Sequence, residues 1–320
     1  MATNKNIYVL DPYHPAAISH LEQGQGITTV LSNDPRIKSW HENADAVMVR
    51  SETRLGEDDF SKATRLRVVV KQGVGVDNID LGAAKKHGVA VHNTPSLNSE
   101  AVAELCMALT LSLSRRVCEI DRRIRRGEKI VRSKMLGMSL FQKTIGIVGM
   151  GNIGKMVAKK WIGAFQCNII GYDPVASKGT WSDIPHERVD TLEELLKEAD
   201  VVTMHVPLIN STRGLIGEKE LRMMKESAIL VNCARGGVVD EEALTKALKE
   251  ERIWGAVLDA MEVEPPTMEA YGELLECDNV IITPHIGAST MENQSRSGIA
   301  VVDTILAVLE GKADVPGKLV

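Results

Sequence analysis

The sequence predicts an α/β protein made of two doubly wound, parallel-sheet domains of the Rossmann and flavodoxin-like kind, the first of them discontinuous. Three observations predict this. Short, β-branched-rich runs alternate with longer helical patterns, and runs that are apolar throughout indicate strands buried on both faces of a parallel sheet. The alternation is played out twice, before residue 98 and again after residue 140. One strand of the second set runs straight into a glycine-rich turn that opens a helix.

The first set of strands is NIYVL, ITTVL, AVMVR, LRVVVKQ and VAVHN. The segment 98–127, NSEAVAELCMALTLSLSRRVCEIDRRIRRG, starts with Ser99 and Glu100 as a helix-initiating pair. Apolar positions then recur at helical spacing for several turns, which predicts one long helix joining the halves. The second set is TIGIVGMG, CNIIGYD, VVTMHV, AILVNCA, GAVLDA and NVIITPH. A last helical pattern, Glu292 to Leu309, follows the final strand and is expected to return the chain to the first domain. The expected domains are therefore 1–98 with 288–320, and 99–287.

Composition narrows the function. Of 320 residues, 44% are hydrophobic and 25% charged, which reads as a globular protein with a sizeable core. A net charge of −5 gives no pull toward nucleic acid or anionic lipid, and 3% aromatic residues leave little for base stacking. Neither partner is expected. The basic run Arg115–Lys129 is local and reads as a solvated or subunit-facing helix surface. No signal-peptide h-region and no span of membrane length is present, so no membrane association is expected. The 5 cysteines are scattered without metal-ligand spacing, as in a reduced, cytoplasmic thiol set.

The strongest local signal is KTIGIVGMGNIGKMVAKKWIGAF, a strand leading into Gly149-x-Gly151-x-x-Gly154 and a helix. Gly149 permits the tight turn, Gly151 lets backbone approach a diphosphate, and Gly154 lets the helix pack close to its strand. The helix N-terminus then offers amides and partial positive charge to the phosphates. Asp173 closes the next strand about 20 residues on, where an acid bonds ribose hydroxyls and repels the extra phosphate of NADP. NAD is the expected cofactor.

Three later strand ends carry chemistry: Arg235 in VNCARGG, Asp259 and Glu264 in VLDAMEVEPP, and His285 in ITPH. In open α/β sheets ligands lie beyond the carboxyl ends of strands, so these groups converge on the cofactor. Reduction of a 2-oxo acid needs a hydride, a proton for the carbonyl oxygen and a grip on the carboxylate. Arg235 suits the grip, because its planar fork meets a carboxylate bidentately. His285 suits the proton transfer, and Glu264 can pair with it to orient the ring and favour the imidazolium. Singly, each has a bland reading: Arg235 tying down its Gly-Gly loop, Glu264 as a surface acid, Asp259 as a turn cap, His285 as a loop residue. Jointly, three groups that this chemistry requires follow consecutive strand ends.

At these residues the sequence resembles the D-isomer-specific 2-hydroxyacid dehydrogenases, through GVGVDNIDLGAA, VHNTPSLNSEAVAE, TIGIVGMGNIG, MHVPLINSTRGLI, VNCARGGVVDEEAL, LDAMEVEPP and TPHIGAST. Within the family, VRSETRL, GVDNID and TPHIGAST are most similar to the D-3-phosphoglycerate dehydrogenase branch. The resemblance implies Arg235 on the substrate carboxylate and Glu264 with His285 as the acid–base pair. It implies a cofactor site of Gly149, Gly151, Asn152, Ile153, Gly154, Asp173, His205, Pro207, Thr212, Cys233, Ala234 and Gly287, with Asp259 on the nicotinamide carboxamide. Substrate contacts are implied for Arg50, Ser51, Lys71, the amides of Val74, Gly75 and Val76, and Arg132. A homodimer built largely on the cofactor domains is implied as well.

Departures from the branch pattern bear on the substrate. Lys71 stands where Arg is usual, Ile130 where Trp is frequent and Ser133 where a basic residue is common. The sequence ends at Val320, so no regulatory C-terminal domain of the kind longer relatives carry is expected. The expected activity is NAD-dependent interconversion of a small 2-hydroxy and 2-oxo acid, with 3-phosphoglycerate and 3-phosphohydroxypyruvate leading. Glyoxylate or hydroxypyruvate reduction, reduction of a bulkier 2-oxo acid, and an NAD(H)-sensing corepressor-like role stand as alternatives.

Overall fold

The computed structural model describes residues 4–320, and the chain divides into two compact units, Met1–Asn98 with Ala288–Val320, and Ser99–Gly287. The first unit holds strands β1 (Lys5–Val9), β2 (Ile27–Val30), β3 (Ala46–Val49), β4 (Val68–Lys71) and β5 (Ala90–Asn93), all parallel, in the order β2-β1-β3-β4-β5. Side chains alternate across the sheet, so each strand feeds two cores. Val47, Val49, Val69 and Val91 meet Phe60, Trp40 and Leu66 on one face. Ile7, Met48, Val68 and Val70 meet Leu21, Val301, Val302 and Ile305 on the other. This second face is closed by helices Pro15–Glu22 and Met291–Leu309. They approach so closely that a Cβ on Gly298 would lie 2.8 Å from that of Ala17.

The second unit holds β6 (Thr144–Val148), β7 (Asn168–Tyr172), β8 (Glu187–Arg188), β9 (Val201–Met204), β10 (Ile229–Asn232), β11 (Gly255–Leu258) and β12 (Val280–Ile282). All pairs are parallel, in the order β12-β11-β10-β9-β6-β7-β8. Strand order reverses between β6 and β9, the switch point at which such sheets bind ligands. The apolar runs read in the sequence are the strands observed, except β8. It is an edge strand of 2 residues, too short to carry a periodic signal.

One expectation is corrected. The segment 98–127 is not a single helix but two, Ser99–Ser114 and Val117–Arg125, broken where Arg116 adopts left-handed backbone (φ 55°, ψ 28°). The Ser114 carbonyl accepts the Met138 amide at 2.8 Å, and a Cβ on Gly137 would sit 2.5 Å from that carbonyl. Returning chain therefore occupies the helix end. After the break, Arg116 and Arg123 both reach the buried Glu119, at 2.7 and 3.2 Å, and fix the second helix.

Candidate active site

In the second unit the glycine turn sits at the switch point. Gly149 has φ +99°, and a Cβ there would meet the His205 carbonyl at 2.4 Å, so only glycine suits this crossing of β6 and β9. At Gly154 a Cβ would meet the Gly149 carbonyl at 2.3 Å, which is the close packing of helix Asn152–Phe165 on its strand. At Gly151 a Cβ would meet nothing within 4 Å, and this N-cap offers the helix no side-chain cap. Open space over uncapped amides is what a diphosphate requires. Asp173 shapes the same turn: Oδ2 accepts the Met150 amide at 2.9 Å, and Oδ1 accepts those of Val175 and Ala176 at 3.0 and 3.1 Å. Arg188 clasps the far side, donating to the carbonyls of Asp173, Ala176 and Ser177 at 2.8 Å each.

The other expected cofactor residues line neighbouring strand ends. Thr212 Oγ1 donates to the Pro207 carbonyl at 2.6 Å and fixes the loop after β9. His205 pairs through Nε2 with Thr203 Oγ1 at 2.9 Å, while its Nδ1 is shielded and without a partner among the described residues. Burial pushes the imidazole down to about 3, so it stays neutral. Cys233 and Ala234 are buried just past β10. Asn232, which sequence reasoning missed, bridges the Arg235 and Ala260 carbonyls at 2.9 and 3.2 Å and takes the Ala234 amide at 3.1 Å. The visible signal was a polar residue ending an otherwise apolar strand.

Glu264 and His285 are brought together: His285 Nδ1 lies 3.0 Å from each carboxylate oxygen. The Glu264 carboxyl is half-buried, which pulls it up, but its bonds to His285 and the Met261 amide and the charge of Arg235 prevail. It is held below its ordinary value and remains ionised. Arg235 thus stands close enough for its charge to act on Glu264, and its Nη1 donates to the Ala234 carbonyl at 2.7 Å. His285 itself has left-handed backbone (φ 56°), uncommon for a residue with a Cβ. Asp259 secures that conformation. One oxygen accepts Thr283 Oγ1 at 2.6 Å and the Ile286 amide at 2.8 Å, and the other accepts the Gly287 amide at 2.8 Å. Asp259 therefore clamps the loop on both sides of the imidazole.

Arg50 and Ser51 follow β3, Lys71 ends β4, and Val74–Val76 form the loop beyond it, all at carboxyl ends of adjacent strands. Here too the order reverses, between β1 and β3. The amides of Val74, Gly75 and Val76 have no protein acceptor among the described residues. Arg50 is braced by residues not foreseen. Its amide donates to the Asp11 carboxylate, Nη1 donates to the Pro12 carbonyl at 3.0 Å, and Asn78 Nδ2 donates to its carbonyl at 2.8 Å. Tyr13, also not foreseen, donates its hydroxyl to the Val49 carbonyl at 2.8 Å.

Among the described residues Arg132 forms no hydrogen bond or ion pair with Arg235, Glu264 or His285. It is exposed in a short 3-10 turn, Arg132–Lys134, in a segment anchored to helix Val117–Arg125, and Arg122 of that helix binds the Asp278 carbonyl just before β12 begins. That is the amino edge of the sheet, opposite the carboxyl ends.

The family model for "D-isomer specific 2-hydroxyacid dehydrogenase, NAD binding domain" matches residues 107–287. The chain belongs to this dehydrogenase family. Its second unit is the family's NAD-binding domain, and NAD is the cofactor that the open, uncapped glycine turn fits. Among curated relatives, a D-3-phosphoglycerate dehydrogenase of Methanocaldococcus jannaschii is 44% identical over 96% of this chain and 58% of that protein. A hydroxypyruvate reductase of Thermotoga maritima is 40% identical over 95% of this chain and 98% of that one. The chain thus spans somewhat over half of the first dehydrogenase and nearly all of the second. The crystal structure of the TT0316 protein from Thermus thermophilus superposes with a TM-score of 0.88 at 34% identity, covering 98% of this chain and 100% of that one.

Proposed function

We propose that the protein is an NAD-dependent D-2-hydroxyacid dehydrogenase. The single observation carrying this reading is the Glu264–His285 pair, 3.0 Å apart and under the charge of Arg235, beyond the carboxyl ends of the NAD-binding sheet. NAD, when held at the glycine turn, would supply or accept the hydride. Arg235 holds the substrate carboxylate with its guanidinium fork. His285 turns Nδ1 toward Glu264, which leaves Nε2 as the atom that gives a proton to the carbonyl oxygen in reduction and takes one from the alcohol in oxidation. Glu264 pairs with Nδ1 and fixes the ring. Asp259 holds the loop in place by hydrogen bonding, and a contact of its carboxylate with the nicotinamide carboxamide would use the lone-pair positions left over.

For the substrate we favour 3-phosphoglycerate and 3-phosphohydroxypyruvate. Arg50 and Lys71 on neighbouring strand ends would meet a phosphate, and the unpartnered amides of Val74, Gly75 and Val76 would meet a carboxylate. Arg132 takes no part in this reading within one chain. Unphosphorylated hydroxypyruvate is the second reading, favoured by a relative of that name matched over 98% of its length. Absorbance at the nicotinamide band, with NADH and each oxo acid in turn, tests both. Preferential turnover of 3-phosphohydroxypyruvate supports the first, and turnover of hydroxypyruvate alone replaces it with the second.

We also read the protein as a cytoplasmic homodimer. Val117, Ile124, Val131, Leu136 and Phe141 are each more than half exposed along one stretch of the second unit, an apolar surface suited to a second copy. All 5 cysteines are free, including the buried Cys106 and Cys233, as a reducing compartment would keep them.

A further inference from the structure

We propose that Glu241 and Tyr271 are positioning residues for the acid–base pair, holding the loop that carries Glu264 by two consecutive backbone amides. The proposal rests on the reading of Glu264 and His285 as the proton-transfer pair. Residues 259–266 after β11 have no regular secondary structure, so no ladder of backbone bonds fixes where Glu264 stands. Side chains take that place. The Met261 amide donates to Glu264 Oε1 at 3.1 Å, the Glu262 amide to Glu241 Oε1 at 2.9 Å, and the Val263 amide to the Tyr271 hydroxyl at 2.7 Å. Three successive amides thus have three side-chain acceptors, two of which come from outside the loop.

The two outside acceptors are themselves fixed. Glu241 opens helix Glu241–Lys249, which follows the Arg235 loop, so one stretch of chain bears the carboxylate-binding arginine and steadies the loop whose Glu264 pairs with His285. Tyr271 lies in helix Met268–Leu275 at a break in its backbone (φ −133°, ψ 21°), with its ring buried in the core. Burial pushes the Tyr271 phenol up to about 12, so it keeps its proton. The Tyr271 hydroxyl and the Glu241 carboxylate stand near enough to influence each other, the carboxyl being raised by burial and drawn down by Tyr271. The loop's position also matters to Arg235. A Cβ on Gly236 would lie 2.1 Å from the Met261 carbonyl carbon, so the two loops touch backbone to backbone. Movement of 261–263 would carry both functional groups away from their positions.

The test compares Tyr271→Phe, Glu241→Ala, Glu241→Gln and Glu264→Gln with the wild type, reading kcat and KM across pH, NADH affinity by fluorescence, and melting temperature. Tyr271→Phe keeps the buried ring and loses the acceptor. Its expected effect is a fall in kcat of about tenfold, the worth of one well-placed hydrogen bond, with NADH affinity little changed. The protonation limb of its pH profile is expected to move in the same direction as that of Glu264→Gln, by less. Glu241→Gln keeps an acceptor for the Glu262 amide and is expected to recover most of the activity lost in Glu241→Ala. Should Tyr271→Phe fail to fold, the Glu241 pair alone decides. Lower melting temperature with unchanged kcat and pH profile in Tyr271→Phe and Glu241→Ala, beside an altered Glu264→Gln, overturns the positioning role alone. An unaltered profile in Glu264→Gln overturns the acid–base reading and the positioning role with it.

Discussion

The imidazole of His285 is committed on one side only. Nδ1 is taken by Glu264, which leaves Nε2 for the proposed proton transfer. Glu264→Gln removes the charge while keeping the size. Its expected signature is a kcat for reduction lower by about 10²-fold, with an altered pH–rate profile. An unaltered profile would count against the pairing. Arg235→Lys keeps a charge but loses the planar fork, and kcat/KM for the 2-oxo acid should fall by roughly 10²-fold or more. Near-normal kinetics would remove Arg235 from the carboxylate. His205 bears on stability instead. Its folded pKa, about 3, lies below the ordinary value of 6.5, so above 6.5 neither state binds the proton. As pH falls from there toward 3, the unfolded chain takes up the proton first and stability is lost. The urea midpoint should drop between about pH 6.5 and 5, and His205→Gln should flatten that slope.

Among the elements, the glycine turn is the least tolerant. Gly149→Ala combines a positive φ with a Cβ placed on the His205 carbonyl. It should cost about 1–3 kcal/mol of stability and weaken NADH binding, read by thermal melting and fluorescence titration. That turn was legible because its physical requirements are local: a tight bend, a close approach and an uncapped helix end all select glycine at fixed spacing. The apolar strands were legible for the same reason, since burial on both sheet faces demands uninterrupted β-branched runs. The break at Arg116 was not. No Gly or Pro marks it, and its cause is the Met138 amide taking the Ser114 carbonyl, a contact between residues far apart in sequence. Likewise the brace of Glu241 and Tyr271, the clasp of Arg188 on the turn after β7, and Asp11 beneath Arg50 are side chains meeting backbone outside any helical or strand repeat. Sequence periodicity has no register for such contacts. Arg235, Glu264 and His285 could be proposed because each follows an apolar strand in a sheet whose carboxyl ends share one edge. Arg132 carried no such strand-end signal and lies in a short 3-10 turn.

At the scale of the molecule, two parallel sheets divide the work by topology. The seven-stranded sheet has its reversal between β6 and β9, where the glycine turn and His205 meet, and the five-stranded sheet between β1 and β3, where Asp11, Tyr13 and Arg50 gather. The apolar stretch 117–141 makes a prediction of its own: Leu136→Lys with Phe141→Lys should shift the sedimentation coefficient from dimer to monomer, whereas a wild-type monomer would remove that surface as an interface. The claim at the centre is that His285 transfers the proton while the NAD-binding sheet holds the cofactor without it. The loop's anchor, Asp259, bonds to residues 283, 286 and 287 and not to the imidazole, so the loop can survive loss of the ring. One measurement tests the claim most directly: turnover and NADH affinity determined on the same preparation of His285→Asn, a residue that tolerates the left-handed backbone. Turnover is predicted to fall by about 10³-fold with NADH affinity nearly unchanged. Retained turnover, or loss of NADH binding together with turnover, would contradict it.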